Sequence, residues 1–178
     1  MGKYGVFFLL MALAILAAGL FGTLHNQLSY SVGPDYFHAL KFDQFGIAEA
    51  QRNRIGAALV GWQASWWMGV IIGVPAFVLG LFTIARPQTY LAAGIGAIGA
   101  VLMVTLMASL AGLAIGMIWV DGAIAQSIPV PDGVGDPTGY VRAGLMHDLS
   151  YMGGLAGAVV ALWTMWRARK FEENRHAA

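Results

Sequence analysis

The sequence predicts an all-α integral membrane protein, a four-helix bundle with a short interfacial helix in the first outer loop. Three observations carry this expectation. Hydrophobic residues make up 58% of the chain and charged residues 11%, about half the charged share of a soluble domain. Four stretches, 4–23, 57–85, 91–120 and 149–166, contain no Asp, Glu, Lys, Arg or His. Each is close to or longer than the ~20 residues a helix needs to cross the bilayer core. Four spans leave no length for a separate soluble unit, so 1–178 reads as a single membrane domain.

The first span, about 4–25, follows Lys3 and ends in small residues, as a signal peptide would. Its apolar run is long for that purpose, and it is expected to stay as a first helix. The outer loop 26–56 holds Gly33-Pro34-Asp35, a helix-start signal. Tyr36, Phe37, Leu40, Phe42 and Phe45 follow, so a short helix should lie in the interface with its apolar face down. The second span, about 57–85, is flanked by Arg52 and Arg54 and bent by Pro75. Arg86-Pro87-Gln88-Thr89 is a tight turn that makes the second and third spans an antiparallel hairpin. The third span covers about 90–120. The outer loop 121–143 is rich in Pro and Gly and ends where Asp136-Pro137 can cap the fourth span, about 144–167. An inner tail, 168–178, remains. Gly69 and Gly73, Gly112 and Gly116, and Gly153 and Gly157 stand four residues apart, a spacing that marks helix contacts in lipid.

Charge sets the expected orientation. Lys3, Arg86, Arg167, Arg169, Lys170 and Arg175 fall on the side of both termini, while seven of the nine acids fall on the other. The positive-inside rule then gives cytoplasmic N- and C-termini in a bacterial inner membrane. Trp62, Trp66, Trp67 and Trp119 should mark the outer boundary, and Tyr4, Tyr90, Trp163 and Trp166 the inner one.

Two short stretches nearly repeat each other. One reads Leu24-His25-Asn26-Gln27-Leu28-Ser29-Tyr30 and the other Met146-His147-Asp148-Leu149-Ser150-Tyr151. Four crossings bring both histidines to the outer end. His25 shares a helical stripe with Gly22 and Ala18, and His147 with Tyr151, Gly154 and Ala158, so both sit on faces that turn inward. Asn26, Gln63, Asp121, Asp148 and Glu49 lie at a similar level. Ionisable groups near a membrane interior are costly and point to function.

Several chemistries fit this set. His25 and His147 with Asp148 or Asp121 suit a transition metal ion. The same histidines suit haem b as axial ligands, with Gly22 and Gly154 leaving space for the ring. A quinone or lipid headgroup would use Tyr30, Tyr151 and the histidines as hydrogen-bond partners and Trp66 as a wall. Against these stands a plain hydrogen-bond network tying helix ends together. His38 reads as solvated, His176 as an uninvolved tail residue, and Met103 and Met107 as core filler.

Other classes drop out. The chain has no cysteine, which removes disulfides, thiolate metal sites and thiol nucleophiles. A net charge of +1 without a basic aromatic run gives no nucleic-acid signal. No phosphate-binding or nucleophile-elbow motif occurs. No charge lies in the middle of a span, where a coupled carrier places its relay. The bilayer is the one certain partner; a larger membrane complex or a homo-oligomer is the other kind expected.

The two histidine segments, Pro34-Asp35-Tyr36-Phe37 and Ala64-Ser65-Trp66-Trp67 together resemble a family of uncharacterised bacterial four-span membrane proteins. The resemblance covers most of the chain. It implies a bacterial inner-membrane location and weight on the histidine segments, and it implies no activity. The expected function is a small membrane subunit with a His/Asp/Tyr site at the outer face, for binding rather than catalysis, with metal among its candidate ligands. The alternatives are a structural or assembly subunit and a haem- or quinone-dependent redox protein.

Overall fold

The computed structural model describes residues 1–177, with side chains through Arg175, so the reading of His176 lies outside the described side chains. Four helices are long and apolar enough to cross a membrane: α1 (Lys3–Val32), α4 (Arg54–Thr83), α5 (Pro87–Trp119) and α7 (Pro137–Ala177). Between α1 and α4 lie α2 (Pro34–Tyr36), a π-helical turn (Phe37–Lys41), α3 (Phe42–Gln44) and a 3₁₀ turn (Glu49–Gln51). α6 (Gly122–Ser127) follows α5. The described residues contain no strand.

The helices overrun the charge-free stretches. α1 continues past His25 to Val32, and α7 begins at Pro137, so both histidine segments are helical throughout. Asn53 Oδ1 accepts from Ile55 N–H to start α4, Asp121 Oδ1 from Ile124 N–H to start α6, and Asp136 Oδ1 from Gly139 N–H to start α7. Each satisfies a backbone donor that the first turn leaves free. Arg142 donates to the carbonyls of Gly116 and Val120 and so closes the C-terminus of α5, where a cation is favoured.

Around the bundle the order is α1, α4, α7, α5. α1 packs closely on α4 and α5 on α7, while contacts between these two pairs are sparser. This corrects the hairpin expected of the second and third spans. α4 and α5 run in opposite directions from a tight turn, but they stand diagonally opposite and barely touch. Small residues decide the pairing. A Cβ on Gly22 would run into the Gly61 carbonyl and Ser65, and a Cβ on Gly61 into the Gly22 carbonyl. Gly69 meets the Ala14 backbone, and on the other pair Gly112 meets the Leu145 carbonyl. Such close backbone approach is what holds helices together in lipid.

At the end bearing the termini, Val6, Leu10, Phe77, Ile84, Tyr90 and Met165 form the core. Tyr90 does not mark a boundary as expected. It is wholly buried against Gly80 and donates its hydroxyl to the Phe77 carbonyl at 2.8 Å. Glu172 accepts from the backbone N–H groups of Ala85 and Arg86, fastening the far end of α7 to the α4–α5 turn.

The opposite end is closed by the segment 34–51. Phe42 N–H reaches back to the Phe37 carbonyl, five residues away, which makes the turn π-helical. An α-helix advances about 100° per residue, so Phe37 and Phe42 would otherwise stand about 140° apart. The wider turn brings both rings into the bundle, where with Tyr36 they pack on Ala57, Val60 and Ala143. Asp35 ties the two loops of this end together, accepting from Gly135 and Asp136 N–H at 2.8 Å each.

Candidate functional site

The two histidine segments meet. The rings of His25 and His147 touch edge to face, centroids 4.7 Å apart. His25 Nε2 shares a hydrogen bond with Ser109 Oγ of α5 at 2.8 Å, and its Nδ1 lies 3.3 Å from Asn26 Oδ1. Asn26 donates to the Ala57 carbonyl at 3.0 Å. His147 Nε2 shares a hydrogen bond with Ser29 Oγ at 3.1 Å, and Ser150 donates to the His147 carbonyl. The first repeat thus supplies a histidine to α5 and a serine to the second repeat. Both rings are buried, and Tyr36 leans on His147 at 4.9 Å.

Beside them is a small polar pocket of about 30 Å³, lined by Phe21, His25, Lys41, Phe45, His147 and Tyr151 among others. A water needs roughly 10–15 Å³ of such space, so the pocket admits about two or three water-sized groups. Below it, in the seam between the two helix pairs, is an apolar cavity of about 110 Å³. Its walls include Ala18 of α1, Met68 of α4, Leu102 of α5 and Gly154 of α7. The two spaces share Phe21, Ala64, Ser65, Ser150 and Tyr151 as walls.

Lys41 is the residue that sequence reasoning missed as a site component. It stands in the first outer loop, yet it is only 8% exposed. Its ammonium donates to Gln44 Oε1 at 3.0 Å and lies 5.4 Å from the Tyr36 ring centre. Among the described residues no carboxylate comes within 4.0 Å of it. Burial lowers its pKa from the ordinary lysine value, and the negative charge of Asp148 partly opposes this. Burial also pushes the Tyr36 phenol above its ordinary range, with Tyr151, Asp148 and Tyr140 adding to the rise. A signal was present: Lys41 follows Phe37 by four residues and so shares its helical face.

The other named residues are less gathered. Tyr151 lines both spaces. Tyr30 stands apart, bonded to His38 Nε2 at 3.1 Å and covered by the Arg54 guanidinium, so His38 has a protein partner on an exposed surface. Trp66 is 42% exposed on α4 and lines neither space. Asp148 is exposed, and Asp121 caps α6.

These positions bear on the ligands expected. Among the described residues no three His, Asp or Glu side chains stand close enough to hold a metal ion together. Of the expected set His25, His147, Asp148 and Asp121, the two histidines meet, while Asp121 caps α6 and Asp148 is exposed with its charge felt at Lys41. Haem b fits no better. Two histidine rings in edge contact leave no place for an iron between them, and Gly22 is filled by Gly61 and Ser65 instead of opening a space. Gly154 does open one: a Cβ there would meet only Met68, at 3.9 Å. Compared with protein-family models, with curated proteins and with solved structures, the chain matches none.

Proposed function

We propose that this chain is a ligand-binding membrane subunit whose ligand is an amphiphile. The ligand's polar head sits beside Lys41, His25 and His147, and its apolar part enters the seam between the helix pairs. The single observation that carries this reading is the shared wall between the polar pocket and the apolar cavity. A ligand with one polar and one apolar end matches that pair of spaces, whereas a free polar solute would leave the apolar cavity unused. We assign the histidine end to the outer face of a bacterial inner membrane and both termini to the cytoplasm, from the Lys and Arg bias.

Native mass spectrometry on gently solubilised protein tests the proposal. Wild type should carry a co-purifying amphiphile, and Gly154→Leu, which fills the cavity where only Met68 is near, should not. Wild type free of any such ligand, or equal occupancy in the folded variant, refutes it. A second reading, a purely structural subunit, draws support from the His25–Ser109 and Ser29–His147 bonds that tie α1 to α5 and α7. It expects Gly154→Leu to change nothing but packing. The absence of cysteine makes the orientation directly testable by labelling single cysteines introduced at either end.

A further inference from the structure

We infer that the head of the ligand is a carboxylate on a single acyl chain, paired with Lys41; this rests on the amphiphile reading above. An ammonium has three donors, and Gln44 accepts only one of them among the described residues. A cation buried without a counter-ion is costly unless something meets it. Lys41 lines the same pocket as His25 and His147, so the unmet donors and the unmet charge belong to the place where a ligand head would sit. A neutral head would answer the donors and leave the charge. An anionic head answers both, with hydrogen bonds of the stronger, charge-assisted kind.

Size narrows the class further. The polar space of about 30 Å³ suits a group of three heavy atoms and excludes a quinone ring. The apolar space of about 110 Å³ is smaller than the ~150 Å³ cavity that accepts benzene. It takes one narrow chain segment. A phosphodiester head is too large for the polar space. A carboxylate has two oxygens and about four acceptor positions, enough for the free Lys41 donors, and Tyr151 is also among the lining residues. His147 offers its remaining ring nitrogen as well, since among the described residues only Nε2 has a partner.

The test is equilibrium dialysis of radiolabelled dodecanoate, dodecanol and dodecyl phosphate against the full chain in a non-ionic detergent. Dodecanoate should bind saturably, and dodecanol at least about tenfold more weakly. Lys41→Met should weaken dodecanoate by about ten- to a hundredfold and dodecanol by less than about fivefold, since the alcohol loses a hydrogen bond but no charge pair. Gly154→Leu should weaken both. Equal binding of dodecanol and dodecanoate, or dodecanoate binding indifferent to Lys41→Met, overturns the anionic head while the amphiphile reading survives. Tighter binding of dodecyl phosphate than of dodecanoate overturns the carboxylate. Binding of none of the three, or binding untouched by Gly154→Leu, overturns the amphiphile reading with it. Lys41→Gln serves in place of Lys41→Met if the latter does not fold.

Discussion

Replacing Lys41 with methionine should leave the ligand-free protein within about 2 kcal/mol of wild type. Three terms set the size. The variant loses the hydrogen bond from the ammonium to Gln44, worth about 1.5–3 kcal/mol for a charged donor. It also loses the ammonium's position 5.4 Å from the Tyr36 ring, worth about 0.5–2 kcal/mol. Against these it recovers the desolvation of a cation that is 8% exposed and has no carboxylate within reach, several kcal/mol per ion. Methionine keeps most of the apolar stem. The losses come to about 2–5 kcal/mol and the recovery is of the same size, so the variant should fall within about 2 kcal/mol of wild type. For a chain of this size each kcal/mol moves Tm by about 2–4 °C. The assay is thermal unfolding in non-ionic detergent, with and without dodecanoate. Wild type should gain Tm with dodecanoate and the variant should not, because only binding to the native state stabilises. A drop of more than about 2 kcal/mol in the ligand-free variant would show that Lys41 is a structural latch, and the reasoning would fail.

Three further outcomes are expected. Gly22→Ala should destabilise by about 1–3 kcal/mol, because its methyl collides with the Gly61 carbonyl, while Gly154→Ala, facing open space, should cost less than about 1 kcal/mol; equal Tm values for the two would contradict the α1–α4 contact. Glu172→Ala should cost about 1–3 kcal/mol by orphaning the Ala85 and Arg86 N–H groups, read as a lower Tm and faster proteolysis at the α4–α5 turn. Dodecanoate affinity should fall as pH rises through the lowered pKa of Lys41, at a pH where an exposed lysine still holds its proton. Over the same window ligand-free stability should rise, since the unfolded chain then binds the proton that the native state has released. Asp148, Tyr36, Tyr151 and the two histidines face the same region, so dialysis repeated on Lys41→Met, which should show no such alkaline loss, identifies the titrating group.

Much of the fold was legible because lipid demands it. Charge-free stretches of about 20 residues have one common use, and the four long helices follow from them. The meeting of His25 and His147 was legible too, since an odd number of crossings separates opposite ends and an even number returns to the same one. Packing order was not. The tight turn at Arg86-Pro87 says that α4 and α5 run in opposite directions, but which helices lie side by side depends on where Gly22, Gly61 and Gly112 find backbone to approach. Tyr90 read as a boundary marker because tyrosine often is one; the Phe77 carbonyl and Gly80 instead gave it a place inside. Lys41 escaped notice for a related reason. A charge in a loop reads as solvated, and its four-residue spacing from Phe37 is a weak trace of the π-helical turn that carries it inward with Phe37 and Phe42. Asp121 and Asp148 sat at the right level for the site, but depth alone does not give direction, and one caps a helix while the other is exposed.

The pairing of α1 with α4 and of α5 with α7 also dictates when the pocket can come into being. Joining α1 to α4 closes the intervening chain as a loop and brings Lys41 to the end of the first pair. Ser109 and His147 arrive on the second pair. Neither half alone holds a cation beside two histidines, so the pocket exists only once both halves have docked. On the amphiphile reading proposed above, ligand capture would be confined to the finished molecule, and a half-inserted chain would have nothing with which to sequester it.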